Sequence, residues 1–250
     1  MRAVGLELSK LRRKRLWLTV LLVLGFELLW ILAILMVSLS RETTAPLTMG
    51  YAIGQASQVH AIFAPILATV VVSRLAAMEH DGAMMPVLFA ANQSRGSLFL
   101  AKYAVAATIS TAATIVVVAA VSLAAGGQGV PADPGLVLLW LLGLVLANLA
   151  VVAIQLLLAL LFQRQAVTLT VGIVGGLVGS FAGFVPTGVA AFIPWQYPGL
   201  VTPVRMEQTD GTITGFPLVE HLGALIALVA VVGAVSTVVG RSVFARKVSR

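Results

Sequence analysis

Arg12-Arg13-Lys14-Arg15 runs directly into LWLTVLLVLGFELLWILAILMV, residues 16–37. Twenty-two residues pass with Glu27 as the one charge among them. A helix rises ~1.5 Å per residue, so ~20 apolar residues cross a hydrocarbon core. A secretory signal has the same basic-then-apolar order, but its apolar part is only ~7–15 residues long. The stretch therefore reads as a retained first transmembrane span.

Working outward, five more apolar stretches follow at Tyr51–Ser73, Tyr103–Ala124, Leu136–Phe162, Ala166–Val185 and Leu218–Val239. The Lys and Arg residues partition around them: 14 of 16 fall in alternate connections. Arg2, Lys10, Arg12, Arg13, Lys14 and Arg15 precede the first span. Arg74, Arg95 and Lys102 lie between the second and third, and Arg164 between the fourth and fifth. Arg241, Arg246, Lys247 and Arg250 follow the sixth, leaving Arg41 and Arg205 on the other side. Positive charge stays cytoplasmic during insertion, so both termini are expected inside. The fold class is an all-α membrane protein with six transmembrane helices. Residues 1–15 form a leader, 16–240 the bundle and 241–250 a basic cytoplasmic tail.

Apolar residues make up 60% of the chain and the mean hydropathy is +1.05, which no water-soluble surface accommodates. The net charge of +7 is accounted for by topology and by anionic lipid headgroups, so nucleic acid is not an expected partner. Cysteine is absent, which removes disulfides and thiol chemistry. Abundant Ala, Val, Gly and Arg with scarce Asn suit a high-GC bacterium, and the bacterial cytoplasmic membrane is the expected location.

In the leader, Met1, Val4, Leu8 and Leu11 share one helical face opposite Arg2, Ser9, Lys10 and Arg12, the pattern of an interfacial amphipathic helix. Gln163–Gln165 is too short to be more than a tight turn, which predicts that spans four and five are antiparallel neighbours. Span five carries Gly175, Gly179 and Gly183 four residues apart, beside Gly172 and Gly176, and so predicts a close helix–helix contact. The segment Pro186–Pro217 mixes an apolar run with Pro194-Trp195-Gln196-Tyr197-Pro198. It reads as a re-entrant or interfacial hairpin followed by a loop through Arg205–Gly215.

Chemistry-bearing patterns are few. No phosphate loop of the GxxxxGK[ST] type occurs, and His60, His80 and His221 lack metal-site spacing. Glu220-His221 is the strongest foothold for an enzyme or assembly-factor reading. Glu27 is the most unusual residue, because a carboxylate at mid-span costs ~2.5–3.5 kcal/mol. It is expected to face the bundle interior near Gln58, His60, Asn148 or Gln155, as a pathway or gate group or as a polar clamp. A proton-coupled secondary transporter using Glu27 is one alternative function. Between spans two and three, Glu79-His80-Asp81 is followed by Met84-Met85, Leu88 and Arg95. Helix-forming apolar content with adaptable methionines predicts a docking helix for a partner.

The order of these features resembles the permease subunits of ABC-2-type exporters, particularly relatives of lantibiotic-immunity and bacitracin-resistance transporters. Glu7-Leu8-Ser9-Lys10-Leu11-Arg12-Arg13 is similar to their leader. Glu79, Pro86-Val87-Leu88 and Ser94-Arg95-Gly96 to Lys102 resemble their cytoplasmic stretch, and Pro194–Pro198 their aromatic-proline motif after span five. Gly82-Ala83-Met84-Met85 departs from the bulkier residues usual there. The resemblance implies two permease protomers, alike or different, each resting on a separately encoded ATP-binding subunit that holds ATP and Mg. The leader and the Glu79–Leu88 helix would transmit its closure. Pro194, Trp195 and Tyr197 would belong to an outer lid, and the cargo would be antibiotic-like peptides or lipophilic compounds.

Overall fold

The computed structural model describes residues 16–40, 47–80, 95–162, 164–179, 181, 185–209 and 212–246. The elements run α1 (Leu16–Ser40), α2 (Met49–His80), α3 (Arg95–Gly127), α4 (Pro134–Leu161) and α5 (Gln165–Gly179). Short pieces α6 (Thr187–Ala190), a 3₁₀ turn (Pro194–Gln196) and α7 (Tyr197–Leu200) follow. Strands β1 (Glu207–Thr209) and β2 (Thr212–Gly215) precede α8 (Leu222–Arg246).

Five of these helices, α1, α2, α3, α4 and α8, are long and apolar enough to cross a membrane. The fifth apolar stretch differs from expectation. Its helix α5 has 15 residues, about 22 Å of rise, which falls short of a ~30 Å core. The chain after it turns at Phe181 and re-forms as the short pieces of residues 187–200.

The layering follows from which faces are apolar all round. Helix α2 lies at the centre, packed against α1, α3, α4 and α5, while α8 packs along α4 and α3. Leu22 and Leu29 of α1 and Val231 and Val238 of α8 stand on the outside of the bundle. Residues such as Ile53, Val71 and Leu75 of α2, Trp140 and Leu156 of α4 and Phe99 of α3 fill its interior.

The tight turn after α4 does not make α4 and α5 extensive partners; α5 packs chiefly on α2. The glycines explain why. A methyl on Gly176 would stand 2.7 Å from the Ile62 carbonyl, and one on Gly172 would land on the Thr69 side chain. On Gly179 it would meet the Ala61 carbonyl at 3.1 Å. Pro65 lies inside α2 and has no N–H to give the carbonyl four residues back, which is that of Ala61. At Gly179 the bare backbone of α5 therefore packs against a carbonyl that Pro65 leaves without its ladder donor, close enough for Cα–H contacts. The close contact expected of the glycine row is thus made within the chain, by Gly172, Gly176 and Gly179 against α2, and by Gly175 and Gly179 against Trp195.

At the other end of the bundle from Arg74, Arg164 and Arg241, the segment 185–204 is packed rather than loose. Gln196, Tyr197, Leu200 and Val201 are buried, and Val201 abuts Gly143 of α4. Phe216 lies on Gly54 and edge-on to Tyr51, with ring centroids 5.1 Å apart. The stretch expected to be a loop through Arg205–Gly215 instead contains an antiparallel hairpin, pairing Gln208 with Ile213 and Thr209 with Thr212. Thr209 before and Thr212, Ile213 and Thr214 after the Asp210-Gly211 pair favour that pairing.

Candidate functional site

Glu27 lies on α1, 11 residues past Leu16, or about 16 Å along the helix axis. His60 sits the same number of residues into α2, counted from Met49. The two helices pack together, bringing Glu27 Oε1 within 2.5 Å of His60 Nδ1, so one proton lies between them. Both residues are buried, at 1% and 2% exposure. An unpaired carboxylate at this depth would be expelled or neutralised, and a hydrogen-bonded partner is what lets it remain.

Of the four partners expected for Glu27, His60 alone is in contact with it. Gln58 is exposed and donates to the Met206 sulfur at 3.3 Å. Asn148 donates to Thr114 Oγ1 at 2.6 Å, joining α4 to α3, and Gln155 donates to Thr69 Oγ1, joining α4 to α2. Glu27–His60, Asn148–Thr114 and Gln155–Thr69 are thus three separate clamps rather than one cluster. Thr69 and Thr114 went unremarked in the sequence, since a single hydroxyl inside an apolar span is commonplace. His60 Nε2, Ser57 Oγ, Gln155 Oε1 and Thr168 Oγ1 are buried without a hydrogen-bond partner.

Lys102 is a second departure. The sequence places it in the connection before span three, but α3 already begins at Arg95. The side chain is fully buried, and Nζ donates to the Leu75 carbonyl at 2.8 Å. The C-terminal part of α2 carries the negative end of its dipole, which suits an ammonium. Leu75 is 15 residues from His60 on the same helix, about 22 Å, so Lys102 is not the counter-ion of Glu27.

The lid residues gather around α5. Trp195 packs on Gly175 and Gly179, and Gln196 Nε2 donates to the Val178 carbonyl at 3.1 Å. Tyr197 donates its hydroxyl to the Ala191 carbonyl at 3.1 Å, and Pro194 opens the 3₁₀ turn. Asp81, Met84, Met85, Leu88 and Gly183 lie outside the described residues, as do the side chains of Glu79, His80 and Arg95. Glu220 and His221 are exposed, and His221, at φ 57°, gives its carbonyl to the first turn of α8. They line a groove with Arg205 and Glu207. Among the described residues no group of three His, Asp or Glu side chains is placed to hold a metal.

A bundle of long apolar helices tied by buried polar clamps is a membrane-embedded scaffold. A family model described as ABC-2 family transporter protein matches residues 3–179 of this chain. The chain belongs to that family. It is a membrane permease of an ABC transporter, a multi-pass transport subunit that is not itself catalytic, and membership implies partnership with an ATP-binding subunit. Comparison with curated proteins and with solved structures returned no match. The matched region ends at the last residue of α5, so α1 to α5 carry the ABC-2 pattern, while the hairpin and α8 fall beyond it.

Proposed function

We propose that this permease serves an ATP-driven exporter of antibiotic-like peptides or lipophilic compounds in a bacterial cytoplasmic membrane. The observation that carries the transporter class is the ABC-2 match across residues 3–179. The lipophilic cargo is supported by the interior of the bundle. Asn148 and Gln155 are bonded to Thr114 and Thr69, and Glu27 to His60. A sugar or hydrated ion would need many more partners along its route than the few polar side chains of these spans.

In this reading both termini and the segment 79–95 face the cytoplasm, as the distribution of basic residues favours. Glu79, His80, Asp81, Met84, Met85, Leu88 and Arg95 dock an ATP-binding dimer, which holds ATP and Mg. Two permease protomers form the pathway. Helix α5 and the segment 185–204 together complete a sixth crossing and re-entrant lid, with Trp195 and Tyr197 seated in it. The order of its motifs along the chain resembles that of lantibiotic-immunity and bacitracin-resistance permeases.

Co-expression with an ATP-binding subunit, reconstitution into vesicles and measurement of ATP-dependent cargo movement tests this. Transport that stops without ATP and resists ionophores supports it. The Glu27–His60 pair favours a second reading, proton-coupled secondary transport, which predicts the reverse: transport by this chain alone, without ATP, abolished by a protonophore.

A further inference from the structure

Beside the Glu27–His60 pair stands a feature that bundle packing leaves unexplained. Phe26 and Trp30 of α1 and Phe63 of α2 form an aromatic triad across the α1–α2 seam. Their ring centroids lie 5.8 Å (Phe26–Trp30), 5.7 Å (Phe26–Phe63) and 6.1 Å (Trp30–Phe63) apart. Phe26 is 56% and Trp30 45% exposed, on the outside of the bundle. Tryptophan at a membrane surface belongs at headgroup level, where its N–H meets water. Trp30 instead lies 14 residues from one end of α1 and 10 from the other, about 21 Å and 15 Å. At that depth hydrocarbon offers its indole no acceptor.

Glu27 is the neighbour of Phe26 and one turn from Trp30, while His60 is one turn from Phe63 on α2. The rings therefore lie at the α1–α2 seam, within one helical turn of the residues that hold the carboxylate. His60 Nε2, in a residue that is 2% exposed, has no hydrogen-bond partner. A buried polar atom left so is costly, so the seam holds more polarity than its packing pairs off.

We propose that this face is a binding site, entered sideways from the bilayer, for a lipophilic organic cation. Charge complementarity selects that occupant. Aromatic faces carry a negative quadrupole that attracts a cation, most strongly where water is excluded. Within one helical turn of Phe26 and Trp30 stands Glu27, the one carboxylate buried among the described residues. A neutral lipid chain would gain from neither. The inference rests on the reading of the chain as a transporter of lipophilic compounds and names the cargo class.

The test is equilibrium binding of tetraphenylphosphonium to the full-length chain in a neutral detergent, against tetraphenylborate, which has the same shape and the opposite charge. The cation is expected to bind saturably and the anion at least about tenfold more weakly. Glu27→Gln, which keeps the shape and a hydrogen bond to His60, should weaken the cation at least about tenfold. Trp30→Leu should weaken it by about fivefold, and Trp17→Leu, near the end of α1, should leave it unchanged. Equal affinity for both ions, or full affinity in Glu27→Gln and Trp30→Leu, overturns the proposal. So does a Trp30→Leu variant that binds no cation but separates a permease pair, which would assign the face to a second copy. If Glu27→Gln does not yield folded protein, Trp30→Leu and Phe26→Leu, both at exposed positions, decide alone. Binding needs no ATPase. An ATP-coupled transporter that fails here carries its cargo elsewhere, whereas a chain that binds the cation but transports without ATP sinks the exporter reading instead.

Discussion

Replacing His60 by Leu removes one member of a buried pair and leaves Glu27 between α1 and α2 without its partner. At 1% exposure the residue is shielded from water. Breaking a buried pair in this way costs roughly 3–5 kcal/mol. For a chain of this size 1 kcal/mol moves the midpoint by about 2–4 °C, so His60→Leu is expected to lower it by on the order of 10 °C. Glu27→Leu leaves an uncharged imidazole short of one partner and should cost less, about 1–3 kcal/mol. The double variant restores an apolar seam of similar volume, and its stability should return to within about 1 kcal/mol of the parent. The expected coupling of about 3 kcal/mol or more stands well above the ~0.6 kcal/mol typical of a hydrogen bond between membrane helices. Thermal unfolding in detergent, followed by the loss of monodisperse protein on size exclusion, reads all four members of the cycle. A double variant as unstable as the sum of the two singles would refute the pairing of Glu27 with His60.

Other predictions follow from separate contacts. Gly176→Ala places a methyl 2.7 Å from the Ile62 carbonyl and should cost about 1–3 kcal/mol by overpacking. Gly25→Ala, with nothing within 4 Å, should be neutral in the same melt. Thr114→Val removes the acceptor of Asn148 and should lose about 0.6–1.7 kcal/mol, with Ser242→Ala, exposed on α8, as the unchanged control. Glu79→Ala and Met84→Asp should each lower affinity for the ATP-binding subunit and its stimulated ATPase while membrane insertion persists. Unaltered coupling in both would remove the docking assignment.

The spans were legible because hydrocarbon demands long apolar runs, and five of six apolar stretches fold as helices of sufficient length. Helix ends were not, because an apolar run marks the hydrocarbon rather than the helix. Tyr103 opens the run, but α3 begins at Arg95, and this places Lys102 inside the bundle. Glu27 announced itself as a lone carboxylate at mid-span. Which of four polar residues would meet it depends on how α1 and α2 are rotated about their axes, and no local pattern encodes that. The main partner of α5 was not legible for a related reason: the short connection keeps α5 beside α4, while glycines facing Ile62 and Thr69 decide that it packs chiefly on α2. The hairpin at Glu207–Gly215 did carry a local signal, Asp210-Gly211 between β-branched residues, which the surrounding prolines and aromatics obscured.

The most direct test of the account is purification of this chain in mild detergent from cells that also express an ABC ATP-binding subunit, followed by transport in reconstituted vesicles. An ATP-binding subunit that co-purifies, and cargo movement that requires its ATP hydrolysis, are the predicted results. Cargo movement by this chain alone, indifferent to ATP and stopped by a protonophore, would contradict the account.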